Sequence, residues 1–190
     1  EKFCKEVLSI TDKPVSFEVF ADDFENMERQ ARIISSWGDN VYVKIPITNT
    51  KGESSDVLIS KLYGQGIKLN ITAIMTTRQI RLTAYRLFGK IPTIFSVFAG
   101  RIADTGVDPI KKIREAKEAI KYVENGELLW ASPREVLNIY QAKEVGADII
   151  TCTPDLIRKY EKFKGMDLGE LSLLTVKQFY DDAKSCGFTL

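Results

Sequence analysis

Histidine is absent from all 190 residues of this chain. Its absence excludes Ser-His-Asp and Cys-His nucleophilic sites, histidine-ligated zinc, and imidazole general bases. An enzyme built from this sequence must therefore work with lysine, carboxylates, tyrosine, serine or threonine hydroxyls, and water. The GxGxxG and P-loop patterns are also absent. Neither of the two common kinds of nucleotide site is therefore indicated.

Cysteine is scarce, and Cys4, Cys152 and Cys186 show no CxxC spacing. This usage favours reduced thiols in a cytoplasmic setting over a disulfide or zinc framework. The net charge is only +1 and no dense Lys/Arg stripe is present, so the sequence carries no electrostatic signal for nucleic acid. No apolar run approaches the roughly 18 residues that a membrane span requires, and no signal-peptide pattern is visible. We therefore expect a soluble cytoplasmic protein with no nucleic-acid or membrane partner.

Short apolar runs alternate with longer amphipathic stretches after a leading helical pattern at residues 1–10. Alternation with repeats of roughly 25 residues is typical of βα units and a parallel sheet. The predicted strands span residues 15–21, 41–47, 67–75, 91–98, 128–131 and 148–152. The predicted helices span residues 22–37, 56–64, 76–89, 109–125, 132–145, 153–163 and 174–185, and residues 99–108 are predicted to form a loop.

Right-handed crossovers between parallel strands produce either a doubly wound sheet or a barrel. A (β/α)8 barrel typically requires eight strands and at least about 200 residues. The chain supplies six predicted strands, and it begins Glu1-Lys2-Phe3, without Met and within a helical pattern. We therefore predict an α/β fold, a (β/α)8 TIM barrel from which the first two βα units are missing. We also expect residues 1–190 to form a single domain.

One lysine interrupts the strongly apolar run at residues 41–48. Burying an unpaired ammonium costs roughly several kcal/mol unless it is paired or loses its proton. Desolvation lowers the pKa of a lysine, and the neutral amine attacks carbonyls. Pro46 indicates that the strand ends there, so Lys44 lies near the carboxyl end, where parallel α/β folds place their sites. The alternative is a lysine at a strand end whose ammonium reaches water.

Polar and aromatic residues recur at the carboxyl ends of the other predicted strands, which converge in a barrel. A desolvated lysine can form a Schiff base with a ketone, while a carboxylate and a threonine hydroxyl can hold a water molecule and move protons. Two arginines and a serine near a helix N-terminus can bind a dianion. The candidates that accompany Lys44 are Glu18, Asn70, Thr72, Ser96, Phe98, Arg101, Ser132 and Arg134.

Each candidate also has a purely structural interpretation. Glu18 and the two arginines are also explained as solvated charges, and Phe98 as a core residue. Asn70 is also explained by local turn chemistry. Ser132 before Pro133 is equally well explained as a helix N-cap with proline at the first helical position. The common position of all these residues at successive strand ends favours a shared site.

Five segments in register across nearly the whole chain resemble the transaldolase family, the Schiff-base aldolase-type barrels of sugar-phosphate metabolism. The segments are Glu18-Val19, Val43-Lys44-Ile45-Pro46, Asn70-Ile71-Thr72, Phe98-Ala99-Gly100-Arg101-Ile102-Ala103-Asp104 and Ala131-Ser132-Pro133-Arg134. The family also has an Asp on its first strand and a Thr-Asn-Pro segment on its second. Neither is present here, which fits the expected loss of two βα units.

The resemblance implies a role for each candidate. It implies that Lys44 forms the Schiff base and that Glu18 and Thr72 hold the catalytic water. It further implies that the substrate is bound through Asn70, Ser96 and Phe98, and its phosphate through Arg101, Ser132 and Arg134. No cofactor or metal is expected, because the iminium supplies the electrophile. The implied partners are a ketose phosphate donor and an aldose phosphate acceptor of the pentose phosphate pathway. A homo-oligomer is also implied, with helix 174–185 as a candidate packing element.

Two alternatives to a transaldolase stay open at this point. The fructose 6-phosphate aldolases, a sister group, cleave the aldol without a transfer. They tend to have Gln in place of Glu18, Tyr in place of Phe98 and no Asn before the Thr, so all three positions favour transaldolase. The second alternative is a catalytically silent barrel that binds sugar phosphates.

Overall fold

The computed structural model describes residues 1–188 and contains a six-stranded parallel sheet in the order β1 to β6. The strands are β1 Val15–Glu18, β2 Val41–Pro46, β3 Leu69–Ile74, β4 Thr93–Val97, β5 Gly126–Trp130 and β6 Ile149–Ile150. Each strand pairs with the next one along the chain. A doubly wound sheet would reverse its strand order at a switch point. The sequential order is therefore that of a (β/α)8 barrel, of which six strands are described, and the predicted fold class is confirmed.

Helices lie between successive strands, as the alternating pattern predicted, and further helices precede β1 and follow β6. They are α1 Lys2–Ser9, α2 Phe24–Ser35, α3 Asp56–Gly64, α4 Thr77–Ala84, α5 Ala99–Asp104, α6 Pro109–Ile120, α7 Leu137–Glu144, α8 Pro154–Phe163 and α9 Leu168–Ser185. Several begin at side-chain caps that are readable in the sequence. Asp23 accepts a hydrogen bond from the Asn26 amide, and Thr76 forms a capping box with Gln79.

The main core lies between the sheet and its helices. Successive strand residues point to opposite faces, so Val43 and Ile45 pack in this core while Lys44 points to the other face. A smaller cluster on that other face consists of Tyr42, Ile94, Leu129 and Ala131. Its polar neighbours at the carboxyl ends of the strands form the candidate site.

The prediction of a loop over residues 99–108 was wrong in part, because this region contains helix α5. The prediction missed this helix because it is only six residues long and lacks a side-chain cap. A second correction concerns Ser132, which is not a helix N-cap. Helix α7 begins at Leu137, and Ser132 adopts a left-handed conformation with a φ of 60°. The structural reason is the close approach of Gly100 to this loop.

Several predicted boundaries were also displaced. Most strands are shorter than predicted, and the helix predicted for residues 76–89 ends at Ala84. The final helix begins at Leu168, six positions before the predicted start, where Asp167 accepts hydrogen bonds from the amides of Gly169 and Glu170. The helix therefore starts where Asp167 caps it, and not where the apolar pattern of residues 174–185 begins.

The chain divides into two compact units, Glu1–Cys152 and a second unit that begins at Thr153. The first unit contains the sheet and helices α1 to α7, and the second contains α8 and α9. Helix α9 exposes several large apolar side chains, including Leu173, Val176 and Phe179. Residues 189 and 190, the last two of the expected single domain, lie outside the described part of the chain. Within residues 1–188, no helix combines the length and apolar character needed to cross a membrane.

Candidate active site

Neighbouring strands bring most of the predicted site residues around one cavity of about 370 Å³. The parallel register explains this convergence, because Lys44 is paired with Glu18 on one side and with Asn70 on the other. Two residues further along, Pro46 is paired with Thr72. The predicted residues that line the cavity are Lys44, Asn70, Thr72, Ser96, Phe98 and Ser132.

Lys44 forms an ion pair with Glu18, whose Oε2 lies 3.2 Å from Nζ. The side chains are 29% and 48% exposed, so the ammonium is neither fully buried nor unpaired. The ion pair and the partial exposure together lower the cost of holding a charged lysine in this apolar strand. It also gives Lys44 a proton acceptor within reach. The amine must lose a proton before it can attack a carbonyl.

Asn70 lies beside Lys44 on the neighbouring strand and joins two serines in a polar network. The Ser96 hydroxyl donates to Asn70 Oδ1 over 2.6 Å, and Asn70 Nδ2 donates to Ser16 Oγ over 2.9 Å. Asn70 and Ser96 are buried. Both ends of the carboxamide are therefore held, and its plane is fixed in the cavity wall.

Thr72 differs from its neighbours in having no protein partner. Its hydroxyl oxygen is buried and makes no hydrogen bond to any residue that the structure describes. A buried hydroxyl without a partner costs about 1–3 kcal/mol. Such a group is retained where it serves a ligand or a water molecule. Its place on the cavity wall makes Thr72 available for that use.

Phe98 lines the cavity and packs against the small apolar cluster that includes Ile94 and Leu129. The guanidinium carbon of Arg101 lies 5.6 Å from the centre of the Phe98 ring. This distance is within the range of a cation–π contact, so the ring helps to orient the arginine. The structure thus joins Arg101 to the cavity through Phe98.

Arg134 forms an ion pair with Asp104 at the end of α5. Its backbone amide also donates to Asn138 Oδ1 over 2.7 Å, which anchors the loop before α7. The pair is about half exposed at both ends. An anion could therefore compete with Asp104 for this guanidinium.

Gly100 and Ser132 bring these two arginine-bearing segments into contact. A Cβ atom on Gly100 would lie 1.6 Å from the carbonyl oxygen of Ser132 and 3.3 Å from Cγ of Arg134. Only glycine fits at this position. Ser132 and Ala73, which follows Thr72, are the non-glycine residues with positive φ in residues 1–188. Strained backbone at both places is typical of functional sites.

Ser16, Thr151 and Asp104 were not among the predicted site residues, although all three belong to this region. Ser16 and Thr151 line the cavity, and Asp104 holds Arg134. For Ser16 a signal was present, because it lies two residues before Glu18 and therefore on the same face of β1. Asp104 lies in a segment that supported the family resemblance but received no role.

Asp22 ties the loop that follows β2 to the loop that follows β1. Its Oδ1 accepts from the Thr50 amide and its Oδ2 from the Thr50 hydroxyl, both over 2.7 Å. The hydrogen bond from the Thr50 amide, and to a lesser extent the one from its hydroxyl, lower the pKa of Asp22 below its ordinary value of 3.8. The contact steadies the segment that continues from Lys44.

Because the pKa of Asp22 is lowered on folding, its stabilisation is present above pH 3.8 and is lost as pH falls through the lower folded value. We expect Asp22→Ala to reduce the free energy of unfolding by an amount that stays constant from about pH 7 to pH 5 and shrinks in stronger acid. Urea denaturation across this range measures the difference. Thr50→Val, which keeps the amide donor, should give a smaller effect of the same sign. A difference that grew in acid would contradict the assignment.

Comparison with known proteins identifies similar chains. A family model described as transaldolase/fructose-6-phosphate aldolase matches residues 1–189. A probable transaldolase 2 from Listeria monocytogenes is 36% identical over 160 residues, which cover 84% of this chain and 70% of the relative. A probable transaldolase from a Thermoanaerobacter species is 31% identical over 187 residues, covering 98% and 80%.

A solved structure of a mandelate oxidase variant with a monooxide FMN adduct superposes with a TM-score of 0.57. The sequence identity is 15%, so this likeness concerns the fold alone. The match covers 78% of this chain and 50% of that one. The chain thus spans about half the length of that solved structure.

Proposed function

The chain belongs to the transaldolase/fructose-6-phosphate aldolase family, and we propose that it is a transaldolase that forms a Schiff base through Lys44. The observation that carries the proposal is that Lys44, which is paired with Glu18, lines one cavity together with the buried, hydrogen-bonded Asn70 and Ser96. This arrangement supplies a nucleophile, a proton acceptor and hydrogen-bonding groups for sugar hydroxyls. The proposed substrates are a ketose phosphate donor and an aldose phosphate acceptor.

In the proposed first half-reaction, Lys44 passes a proton to Glu18 and its amine adds to the ketone carbon of the donor. Water leaves, and the resulting iminium attracts electrons from the bond between the third and fourth carbons. That bond breaks, the proton of the fourth-carbon hydroxyl passes to water, and an aldose phosphate departs. A dihydroxyacetone enamine stays attached to Lys44.

In the second half-reaction, the enamine carbon attacks the aldehyde of the acceptor and a new carbon–carbon bond forms. Water then adds to the iminium and the ketose product is released from Lys44. Glu18 and the partner-free hydroxyl of Thr72 are suited to hold this water and to move its protons. Asn70 and Ser96 are suited to bind the sugar hydroxyls.

The proposed phosphate site combines Arg101, Arg134 and Ser132. Arginine binds phosphate through charge-assisted, often bidentate, hydrogen bonds. The contact between Gly100 and the Ser132 loop keeps these segments together, and Asp104 holds Arg134 close to the site. These contacts support recognition of a terminal phosphate and do not select among sugars of different length.

A transfer assay tests the proposal. The protein is supplied with fructose 6-phosphate, with and without erythrose 4-phosphate, and glyceraldehyde 3-phosphate is followed with a coupled dehydrogenase. A transaldolase should release glyceraldehyde 3-phosphate continuously only when the acceptor is present. Release without an acceptor would identify a free aldolase. Calorimetric binding without either reaction would identify a silent sugar-phosphate-binding barrel.

Phe98 is expected to favour transfer over free cleavage, because its ring provides no proton for the enamine. Phe98→Tyr adds a hydroxyl to the cavity wall and should raise the rate of acceptor-free cleavage about tenfold. This is less than the roughly 10²- to 10⁴-fold that a fully positioned general acid contributes. The measurement is glyceraldehyde 3-phosphate release from fructose 6-phosphate alone. Phe98→Leu is the matched control, because it alters packing without adding a proton donor. Equal rates in the two variants would contradict this role.

A further inference from the structure

We propose that Ser16 is a positioning residue that holds the Asn70 carboxamide in its working orientation beside Lys44. Ser16 lies on β1 and Asn70 on β3, so their hydrogen bond crosses over β2, the strand that carries Lys44. The two residues are 54 positions apart in sequence. The proposal deepens the transaldolase assignment and, as regards catalysis, rests on it.

Both ends of the Asn70 carboxamide are held by serine hydroxyls. Ser96 binds the oxygen end of the Asn70 carboxamide, and Ser16 binds its nitrogen end. With one end free, the amide could rotate about its terminal torsion, which is broad for asparagine. With both ends held, one N–H of Asn70 is directed at Ser16 and the second is left for a ligand. Ser16 therefore determines where the remaining donor points.

Ser16 shares strand β1 with Glu18. It lies two residues before Glu18, so both side chains project from the same face of the strand. Glu18 pairs with Lys44 while Ser16 binds Asn70, and Lys44 and Asn70 are themselves register partners. One strand thus positions two adjacent members of the site.

The hydrogen bonds of Ser96, Asn70 and Ser16 run in one direction. Ser96 donates to Asn70 and Asn70 donates to Ser16, which leaves the proton of the Ser16 hydroxyl free to complete the series. Hydrogen bonds in such a series polarise and strengthen one another. Ser16 also lines the cavity and is exposed, so a small change of its side chain leaves the core undisturbed.

A spectroscopic experiment tests the positioning role without reference to activity. The side-chain amide signals of Asn70 are followed by ¹H–¹⁵N NMR and assigned by their loss in Asn70→Asp. Ser16→Ala should shift these signals and accelerate their exchange with solvent, and Ser16→Thr, which keeps the hydroxyl, should preserve them. Unchanged signals in Ser16→Ala would overturn the proposal. Ser36→Ala is the control, because the Ser36 hydroxyl donates to the Ile33 carbonyl at the end of α2, away from Asn70 in the sheet.

A double-mutant cycle tests the consequence for catalysis. Ser16→Ala should lower kcat/KM for transfer by about fivefold, mainly through KM, as expected for one lost hydrogen bond. Ser16→Thr should restore most of this loss. If Ser16 acts through Asn70, the double variant Ser16→Ala/Asn70→Ala should be no slower than Asn70→Ala alone. Additive losses at unchanged thermal stability would overturn the positioning role.

The two proposals fail in different ways. A wild-type protein without transfer or cleavage activity would refute the transaldolase assignment, and the NMR comparison would still decide whether Ser16 holds Asn70. A fully active wild type with an unaffected Ser16→Ala variant would refute only the role of Ser16.

Discussion

Borohydride reduction in the presence of fructose 6-phosphate should leave a stable adduct on Lys44, and replacement of Lys44 should abolish both the adduct and turnover. A Schiff base becomes a secondary amine when it is reduced, so the increase in intact mass reports the bound carbon unit. An adduct of one dihydroxyacetone unit would show that the aldose phosphate had already departed. Peptide mapping then identifies the modified lysine. We expect Lys44→Ala to lower kcat by roughly 10⁴- to 10⁶-fold, as expected for loss of a covalent nucleophile.

Lys44→Arg separates this chemical role from a structural one. Arginine can keep the ion pair with Glu18, which spans 3.2 Å in the native protein, but it cannot be deprotonated to form a Schiff base. The variant should therefore fold normally, form no adduct and show no turnover. Lys90→Ala, which removes a surface lysine paired with Glu124, should retain full activity and the full adduct. Trapping that persisted in Lys44→Arg would contradict the assignment of the nucleophile.

Gly100→Ala should be the most damaging single-methyl substitution at the site. The added Cβ would lie 1.6 Å from the Ser132 carbonyl oxygen and 2.7 Å from its carbonyl carbon. Both are backbone atoms, so relief requires movement of the loop itself. We expect a loss of about 1–3 kcal/mol or more in the free energy of unfolding, as in other overpacked sites.

The same displacement should weaken phosphate binding, because Ser132 and Arg134 move with the loop. Urea denaturation and calorimetric titration with inorganic phosphate measure the two effects. The matched control is Gly64→Ala at the end of α3, where the new Cβ would meet no described atom within 4 Å apart from its chain neighbours and the backbone of its own helix. It should be neutral or slightly stabilising. Equal stability and phosphate affinity in the two variants would show that the Ser132 loop adapts freely.

The strand–helix alternation was predictable because it depends on local patterns. Apolar runs such as residues 41–47 and caps such as Asp23 and Thr153 lie within a few residues of the elements that they define. The positions of Glu18 and Lys44 toward the carboxyl ends of β1 and β2 were predictable for the same reason. Asn70 instead lies one residue after the start of β3 and comes beside Lys44 through the strand register. Errors occurred where a local signal had two meanings, as for Ser132 before Pro133. Contact with Gly100, remote in sequence, accounts for the observed conformation.

The sequence by itself determined the class of fold, the family and the set of residue types available for chemistry. The tertiary structure alone decided which side chains meet: Lys44 with Glu18, Asn70 with Ser16 and Ser96, and Arg134 with Asp104. The physical reason is that periodicity fixes the face on which a side chain lies, whereas strand register and curvature fix its neighbours on that face. Those neighbours lie on other strands and helices, so no local pattern encodes them.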